Sequence, residues 1–125
     1  MNFPRALSAA LVNQSKQDGY AGSLAATAWV ERNVPRRDVI VVDDYIWLDL
    51  KLAGMNPLWS QKTDTDPQTS KSELPDGWRS ISYIVLTSQT SGALAQLPVV
   101  AEAVSHSVLV ASFADGVTVR RVVPT

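Results

Sequence analysis

At 125 residues the chain is long enough for one domain with its own core and too short for two. It is 46% hydrophobic and 18% charged, inside the globular range, and a net charge of -1 gives no global field to gather nucleic acid. No cysteine is present, which excludes disulfides, thiol nucleophiles, zinc ribbons and iron–sulfur clusters.

From Pro4 to Gln17, Leu7, Ala10 and Leu11 recur at helical spacing, and Asp18-Gly19 ends that helix. The start at Met1-Asn2-Phe3-Pro4-Arg5 lacks the features of a signal peptide, and no apolar run nears the ~18 to 20 residues that cross a bilayer. A second helix is predicted from Ser23, an N-cap, to Asn33, with Leu24, Ala25, Ala28 and Trp29 on one face and Pro35 as its stop. Residues 1–22 thus read as an N-terminal helix and linker, and residues 23–125 as a single α/β domain.

Val39-Ile40-Val41-Val42 is β-branched and apolar on both faces, the pattern of a buried parallel strand. Asp43-Asp44 follows, and then an amphipathic helix that carries Ile46, Leu50 and Ala53 on one face, with Leu48 and Leu52 beside them. Gly54 is its C-cap. Strand, polar turn and helix make the first half of a βαβ unit. Leu58 to Gln61 reads as a short edge strand, and the polar run from Lys62 to Gly77 as a long surface loop.

Ile81 to Leu86 is a second buried strand, followed by a Ser/Thr/Gly-rich segment from Thr87 to Gly92. A helix starting near Leu97-Pro98 turns Leu97, Val100 and Val104 inward. Val108 to Phe113 is a further strand, Asp115-Gly116 supplies a turn, and Val117 to Val119 returns antiparallel. Alternating strands and helices predict an α/β fold: a mostly parallel, Rossmann-like three-layer sheet with a C-terminal antiparallel hairpin.

Several residues carry candidate chemistry. Asp43-Asp44 falls beyond a strand's carboxyl end, where open α/β sheets bind ligands. The pair can hold a cation or contact ligand hydroxyls; equally, one Asp caps the next helix. Asp64-Thr65-Asp66 has the acidic-x-acidic form that holds a metal and a diphosphate in nucleotide-sugar glycosyltransferases, although it lies in a polar loop. Tryptophan stacks on sugar rings: Trp29 and Trp47 fall among apolar helix residues and read as core, while Trp59 and Trp78 flank the polar run.

The ligand-binding candidates are Asp43, Asp44, Trp47, Lys62, Asp64, Asp66 and Trp78. No catalytic or metal-ligating residue is assigned and no cofactor is expected. His106 is the only histidine and better suits a helix end than a Ser-His-Asp triad, and the Gly-x-Ser-x-Gly, Gly-x-Gly-x-x-Gly and phosphate-loop patterns are absent. On residues alone, a small module for a sugar, an anion or a divalent cation stands beside a small hydrolase or phosphotransfer domain using the same aspartates.

A set of ordered segments adds to this reading. Ala28 to Pro35, Val41 to Asp44, Trp47 to Leu50, Lys62 to Pro67, Gly77-Trp78-Arg79, Tyr83-Ile84-Val85 and His106-Ser107 leading to Val110–Phe113 occur in that order. Together they resemble the C-terminal soluble region of bacterial multi-spanning glycosyltransferases of the dolichyl-phosphate-mannose–protein mannosyltransferase and aminoarabinose transferase type, over about residues 24 to 123. The resemblance implies an extracytoplasmic accessory domain of a polyprenyl-phosphate-sugar-dependent enzyme of the bacterial cell membrane. The catalytic carboxylates of that family lie in its membrane half, so none is carried over. The implied partners are the transmembrane part of the same parent chain and a carbohydrate or glycolipid, with residues 1–22 as a juxtamembrane helix.

Overall fold

Val39–Val42 forms strand β1, and alternation along it sets the two faces of the fold. Ile40 and Val42 enter one apolar cluster and Val41 the other, all three buried. The structure, a computed structural model, describes residues 20–123, with the side chains of Tyr20, Tyr45, Thr69 and Ser70 left out of that description. The helix predicted at Pro4 to Gln17 lies outside the described residues.

Helix α1 (Tyr20–Asn33) precedes β1, and helix α2 (Asp44–Leu52) follows it directly. Strand β2 (Asn56–Trp59) leads into two short helices, α3 (Ser60–Thr65) and α4 (Pro67–Glu73), and a 3-10 turn at Gly77–Ser80. Strand β3 (Tyr83–Leu86), the short helix α5 (Ser88–Gly92) and helix α6 (Pro98–Ser105) come next. Strands β4 (Ser107–Ser112) and β5 (Thr118–Val122) form the closing hairpin.

The five strands make one sheet in the order β2-β1-β3-β5-β4. β1 pairs in parallel with β2 and β3, and β5 pairs antiparallel with both β3 and β4. The fold is therefore α/β with a mixed sheet, parallel at its core and antiparallel at one end. Where the sequence shows only a returning hairpin, the structure seats its second strand inside the sheet and leaves β4 at the edge.

One face is covered by α1 and α2, which contribute Ala26, Val30, Val34, Ile46 and Leu50 to a cluster with Val85, Val117 and Val119. The other holds Leu58, Leu74, Ile81, Ile84, Leu97, Val100, Ala103 and Val122. Burying a branched side chain of this kind is worth about 1.5–3 kcal/mol, so these two layers dominate the stability. The inward face of α1 differs from the predicted one. Ala25 and Ala28 are exposed, while Ala26, Val30 and Val34 are buried, because a helix apolar nearly all round takes its inward face from the sheet beneath it.

The ends of α2 follow local chemistry. Asp43 is the N-cap, accepting from the Ile46 amide at 3.3 Å. At the other end Gly54 (φ 81°) takes the left-handed position after the Ala53 cap, with Gly54 N–H donating to Lys51 O at 3.1 Å and Met55 N–H to Leu50 O at 3.0 Å. That is a Schellman closure, and Met55 and Leu50 bury together over it.

The polar run expected as a loop is helical instead. The hydroxyls of Thr63, Thr65 and Ser72 donate back to the carbonyls of Trp59, Gln61 and Gln68 at 3.1, 2.7 and 2.8 Å. Asp66 caps α4 by accepting from Gln68 N–H at 3.1 Å, and Leu74 anchors the segment in the second cluster. Local side-chain bonds and one buried leucine thus replace the apolar stripe a sequence reader looks for.

Candidate functional site: a groove along the β2 edge

β2 is an edge strand, with α2 on one face of the sheet and the α3–α4 pair on the other. Between them runs an open groove of about 540 Å³. Asp44, Trp47 and Lys51 of α2 form one wall, which their i, i+3, i+7 spacing puts on a single helix stripe. Trp59, at the end of β2, and Lys62 of α3 line it with Gln68, Ser72 and Glu73 of α4, while Asn56, Pro57 and Leu58 make its floor.

The Trp47 ring is fixed in place. Its indole N–H donates to the Pro57 carbonyl at 3.2 Å, so the ring stands against the edge strand as a preset surface. The same bond protects β2. Pro57 has no amide N–H and its carbonyl is engaged, which blunts the edge against an added peptide strand.

Of the seven residues predicted to contact ligand, the fold brings Asp44, Trp47 and Lys62 into this groove. It places Asp43, Asp64, Asp66 and Trp78 elsewhere. Asp43 is only 2% exposed, and its second carboxylate oxygen accepts from the Thr87 hydroxyl at 2.9 Å. The adjacent pair therefore divides its tasks: Asp43 closes the interior, and Asp44 faces the groove.

The Asp64-x-Asp66 triplet is likewise used up by backbone. Asp64 accepts from the Val99 and Val100 amides at 2.7 and 3.3 Å, capping α6 from 35 residues away. Helix N-termini attract carboxylates through their unpaired N–H groups and dipole, and both aspartates serve such ends here. Among the described residues no three His, Asp or Glu side chains come together to hold a metal ion.

Trp78 stacks on His106 with ring centres 4.2 Å apart and planes 14° from parallel. The Arg79 guanidinium carbon lies 4.5 Å from the Trp78 ring centre, and His106 Nε2 meets Glu102 Oε2 at 3.1 Å. Trp78 thereby joins the 3-10 turn to the end of α6, so its ring is partnered within the fold. His106 caps that helix, at the helix end where its position in the sequence puts it.

Lys51, Trp59 and Glu73 are groove residues absent from the predicted set. The stripe from Asp44 through Trp47 to Lys51 was a usable signal for the first. Trp59 and Glu73 reach the groove only because the crossover after β2 folds back over the edge.

Chemically, the groove offers indole and leucine surface for the apolar face of a ring, with amide, hydroxyl, ammonium and carboxylate groups around it. His106 does not line it. No helix among the described residues is long and apolar enough to cross a membrane. Comparison with protein-family models, curated proteins and solved structures finds no match.

Proposed function

We propose that this domain is a non-catalytic recognition module that holds a sugar-bearing ligand in the β2-edge groove. We further propose that it does so as an extracytoplasmic accessory domain of a polyprenyl-phosphate-sugar-dependent membrane glycosyltransferase. The observation that carries the first part is the convergence of Trp47 and Trp59 with Lys51, Lys62, Asp44 and Glu73 in one groove. Aromatic faces with a few convergent polar groups are what a small-molecule site needs. The second part rests on the ordered resemblance described above.

The sheet order bears on the Rossmann-like reading of the fold. From β1 the chain crosses to β2 over one face and then to β3 over the other, and we read this as a Rossmann-like switch point between β1 and β3. That point is closed by the hydrogen bond from Thr87 to Asp43, and the groove lies one strand away along β2, with Asp44 on its wall.

Tryptophan fluorescence and melting temperature under titration test the groove. Sugars or short-chain polyprenyl-phosphate sugars should shift both, and Trp59→Ala should abolish the shift without unfolding the chain. A panel of sugars, anions and divalent ions that left both unchanged would reject the groove as a site. A free-standing module using the same groove is the second reading, favoured by Lys51 and Lys62 as anion contacts. The upstream reading frame separates the two, because a membrane parent requires many apolar spans there.

A further inference from the structure

The two borders of the sheet differ in how they meet solvent. At one border β2 is four residues long, contains Pro57 and has the Pro57 carbonyl engaged by Trp47. At the other, β4 is six residues long, the longest of the five strands, and Ser107–Ser112 holds neither proline nor a charged residue. It pairs with β5 alone, and no strand among the described residues lies on its outer side. Folded proteins blunt such borders with charge, proline or short length, and β4 uses none of the three.

What β4 presents there is apolar. Val108 is 42% exposed, Leu109 53% and Val110 37%, so three of the five exposed large apolar side chains among the described residues are consecutive. Ser107 is occupied, since Arg120 Nε donates to its hydroxyl at 2.7 Å and Nη2 to its carbonyl at 3.4 Å, and the free stretch begins at Val108. A bulge between Leu109 and Ala111 leaves Val110 without a partner on β5 and bends the strand there. The stretch is symmetric in kind about Leu109, with a valine on each side and then Ser107 and Ala111, both small. An antiparallel twofold pairing through Leu109 therefore sets Leu109 against its own copy and Val108 against Val110, matching all three exposed side chains with apolar ones. The cations nearest the axis, Arg120 and Arg121, lie on β5. Three strand spacings, ~14 Å, separate that strand from its counterpart in the second copy, beyond the ~8 Å Debye length at physiological salt.

We infer that β4 is a dimer edge: a second copy of this chain pairs its own β4 antiparallel to it, across a twofold axis at Leu109. One continuous sheet then runs through both copies, with the two β2-edge grooves at its far ends and both open. The pairing does not depend on what the grooves bind. The bend at Val110 keeps the paired stretch short, so the interface is smaller than the ~1,200 Å² of stable complexes, and association is weak and concentration-dependent.

Analytical ultracentrifugation of the whole chain from about 1 μM to about 1 mM tests it, and a monomer–dimer equilibrium is expected in that range. Leu109→Lys should weaken the dimer about tenfold or more by setting like charges opposite each other, and Leu109→Glu likewise. An equimolar mixture of the two should dimerise again, because a residue on the axis faces itself. Circular dichroism and melting of both variants at the dilute end should match the natural chain, since Leu109 is a surface residue. The chain has no cysteine, so Leu109→Cys gives a clean cross-linking probe. Its two Cα atoms would lie about 4.5–5.5 Å apart, within disulfide reach, and mild oxidation should join them. Leu52→Cys, on exposed α2, should stay unjoined. A monomer throughout the range overturns the inference. So does an undiminished dimer in Leu109→Lys, a Lys–Glu mixture that stays monomeric, or Leu52→Cys cross-linking as readily as Leu109→Cys. Leu109→Lys should keep its sugar response, so the dimer edge and the groove stand or fall separately.

Discussion

Asp43 and Thr87 close the carboxyl ends of two neighbouring parallel strands with one hydrogen bond. The Thr87 hydroxyl donates to Asp43 Oδ2 at 2.9 Å and accepts from the Thr90 amide at 3.3 Å. The caps of α2 and α5 are thus a single buried network, and its carboxylate makes it sensitive to loss of a partner.

Thr87→Val should lower unfolding free energy by about 1.5–3 kcal/mol, the range for a hydrogen bond to a charged group. Thr90 gives the opposite expectation. Its hydroxyl is buried without a partner among the described residues, so Thr90→Val should be neutral or stabilising by about 1 kcal/mol. Urea denaturation of both variants checks this pair. Equal destabilisation by the two would refute the network as drawn.

Asp64 should behave as a cap and not as a metal ligand. Asp64→Ala frees two amides at the start of α6 and should cost about 1–2 kcal/mol. Added magnesium or manganese should leave the melting temperature of the natural chain unmoved. A metal-dependent rise that disappears in Asp64→Ala would restore the ligand role.

Trp78 offers a test against the groove residues. His106→Ala should remove about 0.5–1.5 kcal/mol of stacking stabilisation. Neither this variant nor Trp78→Phe should change sugar affinity, whereas Trp59→Ala should. Calorimetric titration of the three variants is the measurement, and lost affinity in Trp78→Phe would return that ring to the site.

Gly22 of α1 packs against the hairpin tip. Its amide donates to Asp115 Oδ2 at 3.3 Å, and an added Cβ would run into the Ala114 carbonyl. Gly22→Ala should therefore destabilise by about 1–3 kcal/mol through overpacking. Gly92 has no such neighbour, and Gly92→Ala should be neutral or stabilising by about 0.4–1 kcal/mol. Thermal unfolding of the two variants gives the comparison.

How far the residues alone foretell this molecule depends on what holds each part. The strand Val39–Val42 and the helix behind it are legible because burial on both faces demands an unbroken β-branched run, and because Asp43 is a strong cap. The α3–α4 segment was not, since Thr63, Thr65 and Ser72 bond their own backbone and only Leu74 reaches the core. Asp44, Trp47 and Lys62 of the groove were named from the residues alone, and Lys51 was readable as the next member of the α2 stripe. Trp59 and Glu73 were not, because they meet only when the crossover after β2 folds back over the sheet edge. Asp64 misleads for a related reason: its partners, Val99 and Val100, are remote in sequence.

β5 is the latest strand along the chain, yet it is flanked on both sides by earlier ones. During synthesis, β3 keeps a bare hydrogen-bonding border until Thr118 and the residues after it have left the ribosome. A nascent chain stopped short of them lacks an inner stave of the sheet, and β4 has nothing to dock on. Completion of the domain is thereby gated by its final pairing step, so prematurely terminated products should go to proteolysis and not accumulate as near-native fragments.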